Sequence, residues 1–311
     1  MLKKIGFIIL GLIVLLLIIG FFLKPSPIDL DDYLGEKIAE SDYVKVGNVD
    51  KYLNRPNATM PEEHNEILSN KTEIPIASIL KRNDINQLLK PGYLSTENGF
   101  CRLEDGTMYV SALTKMPGVT LEMIDWWFWW HAAEAQRYQI WYPDMHYDIS
   151  SYFRGSYTDT TLSYSERLHQ SAHLVNEDIG SGAEDILIDF ISPEDFGFDP
   201  RQLDPEKETI ICARVGSPEM GSWGSEMVHF VRATADGVEM RSRFWIGNKI
   251  YEINKSEEIN LHPILNKPFV KKRLIADEVG INMFHHCVQE FHNLAEVLPE
   301  LYEKMGSSNS I

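Results

Sequence analysis

The last periodic stretch of the chain is RLIADEVGINMFHHCVQEFHNLAEVL, residues 273–298. Its apolar side chains recur at helical spacing, and Pro299 follows directly, so the pattern predicts one long amphipathic helix from about residue 273 to 298. The apolar positions are Ile281, Phe284, Val288 and Phe291. A helix with one such apolar face must pack on another layer of the protein.

The segments before this helix have the alternation and the β-branched content of strands. They are EDILIDFIS (184–192), ETIICARVG (208–216), SEMVHFVRAT (225–234), GVEMRSRFWIG (237–247) and KIYEI (249–253), with Asp236-Gly237 as a hairpin turn. Earlier, CRLEDGTMYVSALTKM (101–116) predicts two further strands. A run of antiparallel strands followed by one long helix predicts an α+β grip, a curved sheet around the C-terminal helix with a cavity between them.

A second helical stretch, GVTLEMIDWWFWWHAAEAQRYQIW (118–141), begins at the capping residue Thr120 and contains no later Gly or Pro before Pro143. Helical spacing puts His131, Glu134 and Tyr138 on one face of it. The residues from there to about 182 lack periodicity and are expected to be irregular.

The spacing of four between His286 and Glu290 allows two readings. Both side chains lie on one helix face, one turn apart, where they can bind one cation. The same spacing also suits a plain hydrogen-bonded pair in solvent. The neighbouring apolar face favours a position at an interior rim, but the pair alone leaves both readings open.

Charge and cysteine content restrict the function classes. With 311 residues and a net charge of −17, the chain repels phosphate backbones, which excludes nucleic acid as a partner. The three cysteines, Cys101, Cys212 and Cys287, are widely spaced and form neither a disulfide framework nor a cysteine-rich zinc motif.

The N-terminus suggests a membrane anchor. Residues 5–23 are uncharged and apolar, and Lys3 and Lys4 precede them. The positive-inside bias predicts a single-pass transmembrane helix (1–24), with a cytoplasmic N-terminus and the remaining chain outside. A cleaved signal peptide is the alternative. Residues 25–75 are expected to be a tether and lead-in, and residues 76–311 the folded domain.

The order of several motifs resembles the family of 2,4-diacetylphloroglucinol hydrolase and phloretin hydrolase. The motifs are WWFWWHAAEAQRYQIWYPDMHYD (126–148), HLVNEDIGSG (173–182), MVHFVRATADGVEMRSRFWIG (227–247) and the helix with His286 and Glu290. The resemblance covers about residues 90 to 300. It implies a helix-grip fold like that of START domains and the birch pollen allergen, and a zinc-dependent hydrolase of carbon–carbon bonds.

The resemblance also assigns residues. The implied zinc ligands are His146, Glu177, His286 and Glu290. It implies that His229 exchanges a proton with the ring carbon and that Tyr138 orients a ring hydroxyl, while water activated by the zinc attacks the acyl carbonyl. From spacing alone, His131 and Glu134 are rival metal ligands, since a separation of three residues also suits a metal; they are expected next to the ligands and, with Tyr138, in substrate binding.

The sequence departs from the family pattern at two substrate-contacting positions, so the identity of the substrate is left open. An asparagine that the family has after the first ligand is absent, since Asp148 and Ile149 stand there, and Phe244 and Trp245 occupy the place of a second tyrosine. The expected partner is a small acylated phenol, with a homodimer left open. The rival functions are a non-catalytic START-like module for aromatic or lipid ligands, a metal-dependent ester or amide hydrolase, and an envelope scaffold.

Overall fold

The computed structural model describes residues 33–155, 157–253 and 262–306. Within these ranges, nine strands form one sheet. They are β1 (Glu36–Lys37), β2 (Gly99–Arg102), β3 (Met108–Pro117), β4 (His146–Phe153), β5 (Ser171–Asp178), β6 (Ala183–Phe190), β7 (Glu208–Ser217), β8 (Ser222–Ala233) and β9 (Gly237–Glu252). The strand order is β1-β4-β5-β6-β7-β8-β9-β3-β2, and every neighbouring pair is antiparallel.

The α-helices of the described ranges are mostly short. They are α1 (Asp50–Leu53), α2 (Glu62–Asn70), α3 (Leu121–Trp130), α4 (Ala135–Trp141), α5 (Tyr164–Leu168), α6 (Pro193–Phe196), α7 (His262–Leu265), α8 (Pro268–Leu274) and α9 (Val279–Met305). The long helix α9 packs on β3 and β2, and it also contacts α2, α3 and α4.

Both faces of the sheet are buried. On β3, Val110 faces the main core that contains α9, whereas its neighbour Tyr109 belongs to a second apolar cluster with Trp245 and Phe196. Successive side chains of a strand point to opposite faces, so one strand supplies both clusters. The large core between sheet and α9 also contains Val49 from the segment 25–75 that was expected to be a tether.

The close contact between α9 and the sheet depends on a glycine. A Cβ atom built on Gly280 would lie 2.6 Å from the sulfur of Met108 and 2.8 Å from the ring of Phe100. Only glycine lets the first turn of α9 approach β2 and β3 this closely.

The predicted strands at 184–192, 208–216, 225–234 and 237–253 are present as β6, β7, β8 and β9, although the last two predicted segments form one strand of 16 residues. The expectation of an irregular stretch up to residue 182 is wrong, because it contains β4 and β5. Polar side chains on these strands obscure the alternation, and a bulge between His146 and Asp148 interrupts it.

Both predicted helices also need correction. The helix capped by Thr120 stops at Trp130, and a 3-10 turn with an extended Glu134 separates it from α4. At the C-terminus, α9 does not end before Pro299 but continues to Met305, with that proline inside the helix. Leu298 and Leu301 are fully buried on either side of the proline, and their burial offsets the lost backbone hydrogen bond.

The predicted fold class and localisation need correction at the N-terminus. The predicted membrane span, residues 5–23, lies outside the described ranges. Among the helices of these ranges, none combines the length and the apolar character needed to cross a bilayer, because even the 27-residue α9 intersperses polar side chains. The predicted fold class, with its transmembrane helix, and the predicted single-pass localisation are corrected to this extent: the described residues contain no membrane-spanning helix. The architecture found is mixed helix and sheet around one large antiparallel sheet.

Candidate active site

A cavity of about 360 Å³ lies between the sheet and α9. Its lining at one end includes Met220 and Leu274, which are 54% and 47% exposed, so this end is the mouth. Phe128, Phe190 and His173 also line the cavity, and they are buried and contact one another, so the part that they enclose is its closed end. The cavity therefore presents an open and a closed half to a ligand.

Three separate elements bring His146, Glu177, His286 and Glu290 together, and the last three of these residues line the cavity. His146 and Glu177 are directly paired across β4 and β5, which puts both side chains on one face of the sheet. His286 and Glu290 lie one turn apart on α9. All four residues are at most 7% exposed.

The polar atoms of the four side chains surround one point. The Nε2 atoms of His146 and His286 are 3.2 Å apart. Nε2 of His146 lies 3.5 Å from Oε2 of Glu177 and 3.7 Å from Oε2 of Glu290. From Nε2 of His286, the same two oxygens are 4.0 and 3.9 Å away.

Backbone carbonyls fix the tautomers of both histidines. Nδ1 of His146 lies 3.4 Å from the carbonyl oxygen of Tyr138, and Nδ1 of His286 lies 3.2 Å from that of Asp178. A carbonyl only accepts, so each Nδ1 carries the hydrogen and each Nε2 presents a lone pair. Two lone pairs that face each other at 3.2 Å repel unless a cation or a proton lies between them.

The spacing of His146, His286 and Glu290 fits a tetrahedral cation, and Glu177 lies beside both histidines. Zinc bonds to nitrogen and oxygen of about 2.0 to 2.1 Å place tetrahedral ligand atoms about 3.3 to 3.4 Å apart. The five separations that involve a histidine nitrogen, 3.2 to 4.0 Å, lie close to this value or modestly above it. His146, His286 and Glu290 by themselves meet the spacing that a metal ion requires, since their ligand atoms all lie within 4.8 Å of one another.

Burial acts against the charged form of every member. It raises the pKa of Glu177 to about 7 and that of Glu290 well above its ordinary value, the latter also because Glu177 is near. It lowers the pKa of His286 to about 4 and that of His146 well below its ordinary value. A divalent cation would balance two carboxylates and reverse these shifts.

Tyr138 contacts the cluster in three ways. Its hydroxyl donates a hydrogen bond to Oε2 of Glu177, its carbonyl oxygen orients His146, and its ring stacks on the His146 imidazole at 4.2 Å and 4°. Burial and the neighbouring Glu177 raise the pKa of this phenol well above its ordinary value. The tyrosine is therefore a neutral donor that lines the cavity.

His229 also lines the cavity, on the β8 side. Its Nδ1 is 2.8 Å from Oγ of Ser242, directly across on β9, and its ring meets Phe291 edge-on at 4.9 Å. Burial lowers the pKa of His229 to about 3, so the imidazole is neutral near pH 7.

The two other predicted site residues are separated by the structure. His131 lines the closed end of the cavity, stacked 5.9 Å from the ring of Tyr138. Glu134 is not among the described residues that line the cavity. Its carboxylate accepts from the Val46 backbone and pairs with Arg137 at 3.4 Å.

The positions where the sequence departs from the family pattern also separate. Phe244 lines the cavity, whereas Trp245 faces the second apolar cluster and donates from its indole to the Leu80 carbonyl at 3.0 Å. Asp148 is exposed beyond the bulge that follows His146. The cavity wall at the predicted tyrosine position is therefore apolar.

One cavity residue has no predicted role. His173 is 1% exposed and lies on the same face of β5 as Val175 and Glu177. The spacing of four between His173 and Glu177 on a strand is the sequence signal for this placement, because residues i, i+2 and i+4 share a face. That signal depends on recognising β5 as a strand.

A buried cluster of imidazoles and carboxylates beside a largely apolar cavity could hold a metal ion and marks a candidate active site. Comparison with known proteins gives the class. The family model described as DAPG hydrolase PhiG domain matches residues 80–303. Phloretin hydrolase of Eubacterium ramulus is 34% identical over 271 residues, which cover 86% of this chain and 94% of that protein.

The 2,4-diacetylphloroglucinol hydrolase of Pseudomonas protegens is 30% identical over 232 residues, covering 72% of this chain and 73% of that protein. A solved structure of norcoclaurine synthase from Thalictrum flavum covers 65% of this chain and 96% of its own, with 12% identity and a TM-score of 0.29, a likeness too low to carry an argument. The chain belongs to the DAPG hydrolase family. It is a hydrolase of the class that cleaves carbon–carbon bonds, as predicted.

Proposed function

We propose that the chain is a zinc-dependent hydrolase that cleaves the bond between an acyl group and the ring carbon of a polyhydroxylated phenol. The observation that carries this proposal is the pair of carbonyl-fixed imidazoles, His146 and His286, whose bare Nε2 atoms face each other beside two buried carboxylates. The relatives are named as hydrolases of phloretin and of 2,4-diacetylphloroglucinol, and these names suggest the substrate class.

Zinc is favoured by the donor set. Imidazole nitrogen and carboxylate oxygen both bind zinc, and two carboxylates balance the charge of a divalent ion. His146, Glu177, His286 and Glu290 would hold it. A bound zinc ion supplies Lewis-acid polarisation and lowers the pKa of water to roughly 7.

The remaining chemistry falls to residues of the chain. The bond is broken when water adds to the acyl carbonyl, the ring carbon gains a proton and the electron pair of the broken bond stays in the ring. The products are a carboxylic acid and a deacylated phenol. A ring with several hydroxyls is suited to this route, because it tautomerises to a ketone whose ring carbon is already protonated.

His229 moves the ring proton in this proposal. It lies on the cavity wall, where it can accept the proton of a ring hydroxyl and deliver it to the ring carbon that bears the acyl group. Tyr138 orients the substrate and keeps Glu177 in place through its hydrogen bond.

The test uses the purified full chain with 2,4-diacetylphloroglucinol and phenyl acetate, each with and without a chelator. We expect release of acetate from the acylphenol only, its loss with the chelator, and its return when zinc is added back. Elemental analysis should give about one zinc per chain. Equal turnover of the phenyl ester, or turnover that chelation leaves unchanged, would contradict the proposal.

The role of His229 is tested by His229→Gln, which keeps a side chain that can hydrogen-bond Ser242. We expect the metal content of wild type and a turnover reduced about 10²-fold to 10⁴-fold. Wild-type turnover would remove His229 from the mechanism, and loss of the metal would show that its role is structural.

A further inference from the structure

The closed end of the cavity contains two histidines that lie outside the cluster of possible metal ligands. His131 and His173 are 2% and 1% exposed, and both line the cavity. Their ring centroids are 5.5 Å apart, and their planes are almost perpendicular, at 89°. Two buried imidazoles in contact need a hydrogen-bonding account, because an unpaired polar atom in such a place costs free energy.

The hydrogen bonds of His131 leave one bare acceptor. Its Nδ1 is 2.7 Å from the carbonyl oxygen of Trp127, one turn earlier in the chain. The carbonyl accepts, so Nδ1 carries the hydrogen and Nε2 of His131 has only a lone pair.

His173 reaches the same state by a different route. The hydroxyl of Ser171 donates to the carbonyl oxygen of Leu168 at 2.8 Å, so its hydrogen is already used. That hydroxyl oxygen also lies 3.4 Å from Nε2 of His173, and it can only accept there. Nε2 of His173 therefore carries the hydrogen, and Nδ1 is the bare acceptor. Within the described part of the chain, no donor is found for this Nδ1 or for Nε2 of His131.

The side chains around these two acceptor nitrogens are aromatic, and both imidazoles are neutral. Phe190 contacts His173 edge-on at 4.8 Å, and Phe128 contacts His131 edge-on at 5.7 Å. Burial lowers the pKa of His131 to about 4 and that of His173 well below its ordinary value. Aromatic walls with two neutral acceptors suit a flat ring that carries a hydroxyl group.

We propose that His131 and His173 form a subsite that accepts a hydrogen bond from the ring hydroxyl farthest from the acyl group. This inference rests on the proposed function. The phenol ring occupies the closed end, where that hydroxyl donates to the imidazoles, and the acyl group points past the four-residue cluster toward the mouth. The enzyme is then strict about this hydroxyl and tolerant of acyl length, because the mouth is open to solvent at Met220 and Leu274.

The decisive variant is His173→Phe, which keeps the ring and removes the acceptor. The probe is the pair 2,4,6-trihydroxyacetophenone and 2,6-dihydroxyacetophenone, which differ only in the hydroxyl para to the acyl group. Wild type should bind the trihydroxy ligand about tenfold or more tightly than the dihydroxy ligand, and His173→Phe should lose most of this difference. Because the trihydroxy ligand is acetylphloroglucinol, a proposed substrate, the calorimetric titration uses metal-loaded His229→Gln in place of wild type, with and without His173→Phe, so that turnover is slow during the measurement.

His169→Phe is the matched control, because His169 is a partly buried histidine of the same segment that does not line the cavity. It should keep the wild-type preference. An equal affinity of wild type for both ligands, or an undiminished preference in His173→Phe, would overturn the subsite.

Turnover separates this inference from the proposed function. If wild type hydrolyses acetylphloroglucinol but His173→Phe keeps the hydroxyl preference, only the subsite fails. If wild type hydrolyses no acylphenol, the proposed function fails. Octanoylphloroglucinol turned over at close to the acetyl rate supports the orientation with the acyl group at the mouth, and its rejection overturns that orientation.

Discussion

Two pairs of histidines meet at α9, and they differ in what surrounds them. His286 faces His146 with 3.2 Å between ring nitrogens, and His292 faces His64 with 3.3 Å. Proximity of imidazoles is therefore common to both pairs. In the first pair each Nδ1 is fixed by a backbone carbonyl, and Glu177 stands beside both rings.

The second pair differs above all in its carboxylates. Its facing atoms are Nδ1 of His64 and Nε2 of His292, and the carboxylate that pairs with His64, that of Glu63, lies 3.8 Å from the far nitrogen of the ring and is exposed. One ring can donate to the other in an ordinary hydrogen bond. The comparison shows that fixed tautomers and buried carboxylates, more than two adjacent histidines, distinguish a candidate metal site from a packing contact.

The largest expected effect comes from removing ligands of the first pair. His286→Ala and Glu290→Ala should each reduce bound zinc from about one per chain to near zero and turnover to the background rate, because three donors of mixed charge bind more weakly than four. Elemental analysis after gel filtration and acetate release measure the two outcomes.

The matched control is His292→Ala on the same helix, which should keep both metal and turnover. Loss of the metal in this variant as well, or its retention in His286→Ala, would erase the distinction between the two pairs.

A smaller effect is expected from Tyr138→Phe, which keeps the stacking on His146 and removes the hydrogen bond to Glu177. We expect zinc affinity or turnover to fall about 10-fold to 100-fold, as for other residues that orient metal ligands. Competition with a chromophoric chelator measures the affinity.

Tyr142→Phe serves as the comparison for Tyr138→Phe, since the ring of Tyr142 lies 5.4 Å from that of His286. Equal losses in the two variants would mean that the hydroxyl of Tyr138 has no special part in the site.

The smallest effect concerns the second pair and pH. Burial, with a further contribution from His64, lowers the pKa of His292 from 6.5 to about 4. Between these values the unfolded chain binds a proton there that the native chain does not, so native stability falls as pH decreases through this window.

His292→Gln removes this difference. Its melting temperature should therefore fall less than that of wild type between pH 6.5 and pH 4, by about 2 °C. Melting curves at matched ionic strength test this expectation, and parallel decreases in both proteins would rule out His292 as the cause.

Local pattern was sufficient for some of the site. The spacing of four on an amphipathic stretch places His286 and Glu290 on one face of α9, and the structure has both buried on that helix. The hairpin strands that position His229 are present where alternation predicts them. The assignment of four metal ligands from the family resemblance remains a prediction, although the structure brings the four side chains together.

The rest depends on long-range geometry that periodicity does not encode. The pairing of His146 with Glu177 requires β4 and β5, whose alternation is obscured by polar side chains and by a bulge. The carbonyls of Tyr138 and Asp178 that fix the tautomers are backbone groups with no sequence signature. The course of α9 past Pro299 follows from burial of Leu298 and Leu301, which tertiary packing decides.

The wide separation of the ligands along the chain affects the order of folding. His146 and His286 are 140 residues apart, with Glu177 between them, so no short peptide segment contains the complete set. Strand pairing and docking of the C-terminal helix must precede coordination. An ion would therefore bind late in folding and link distant parts of the polypeptide. It would slow unfolding without accelerating folding.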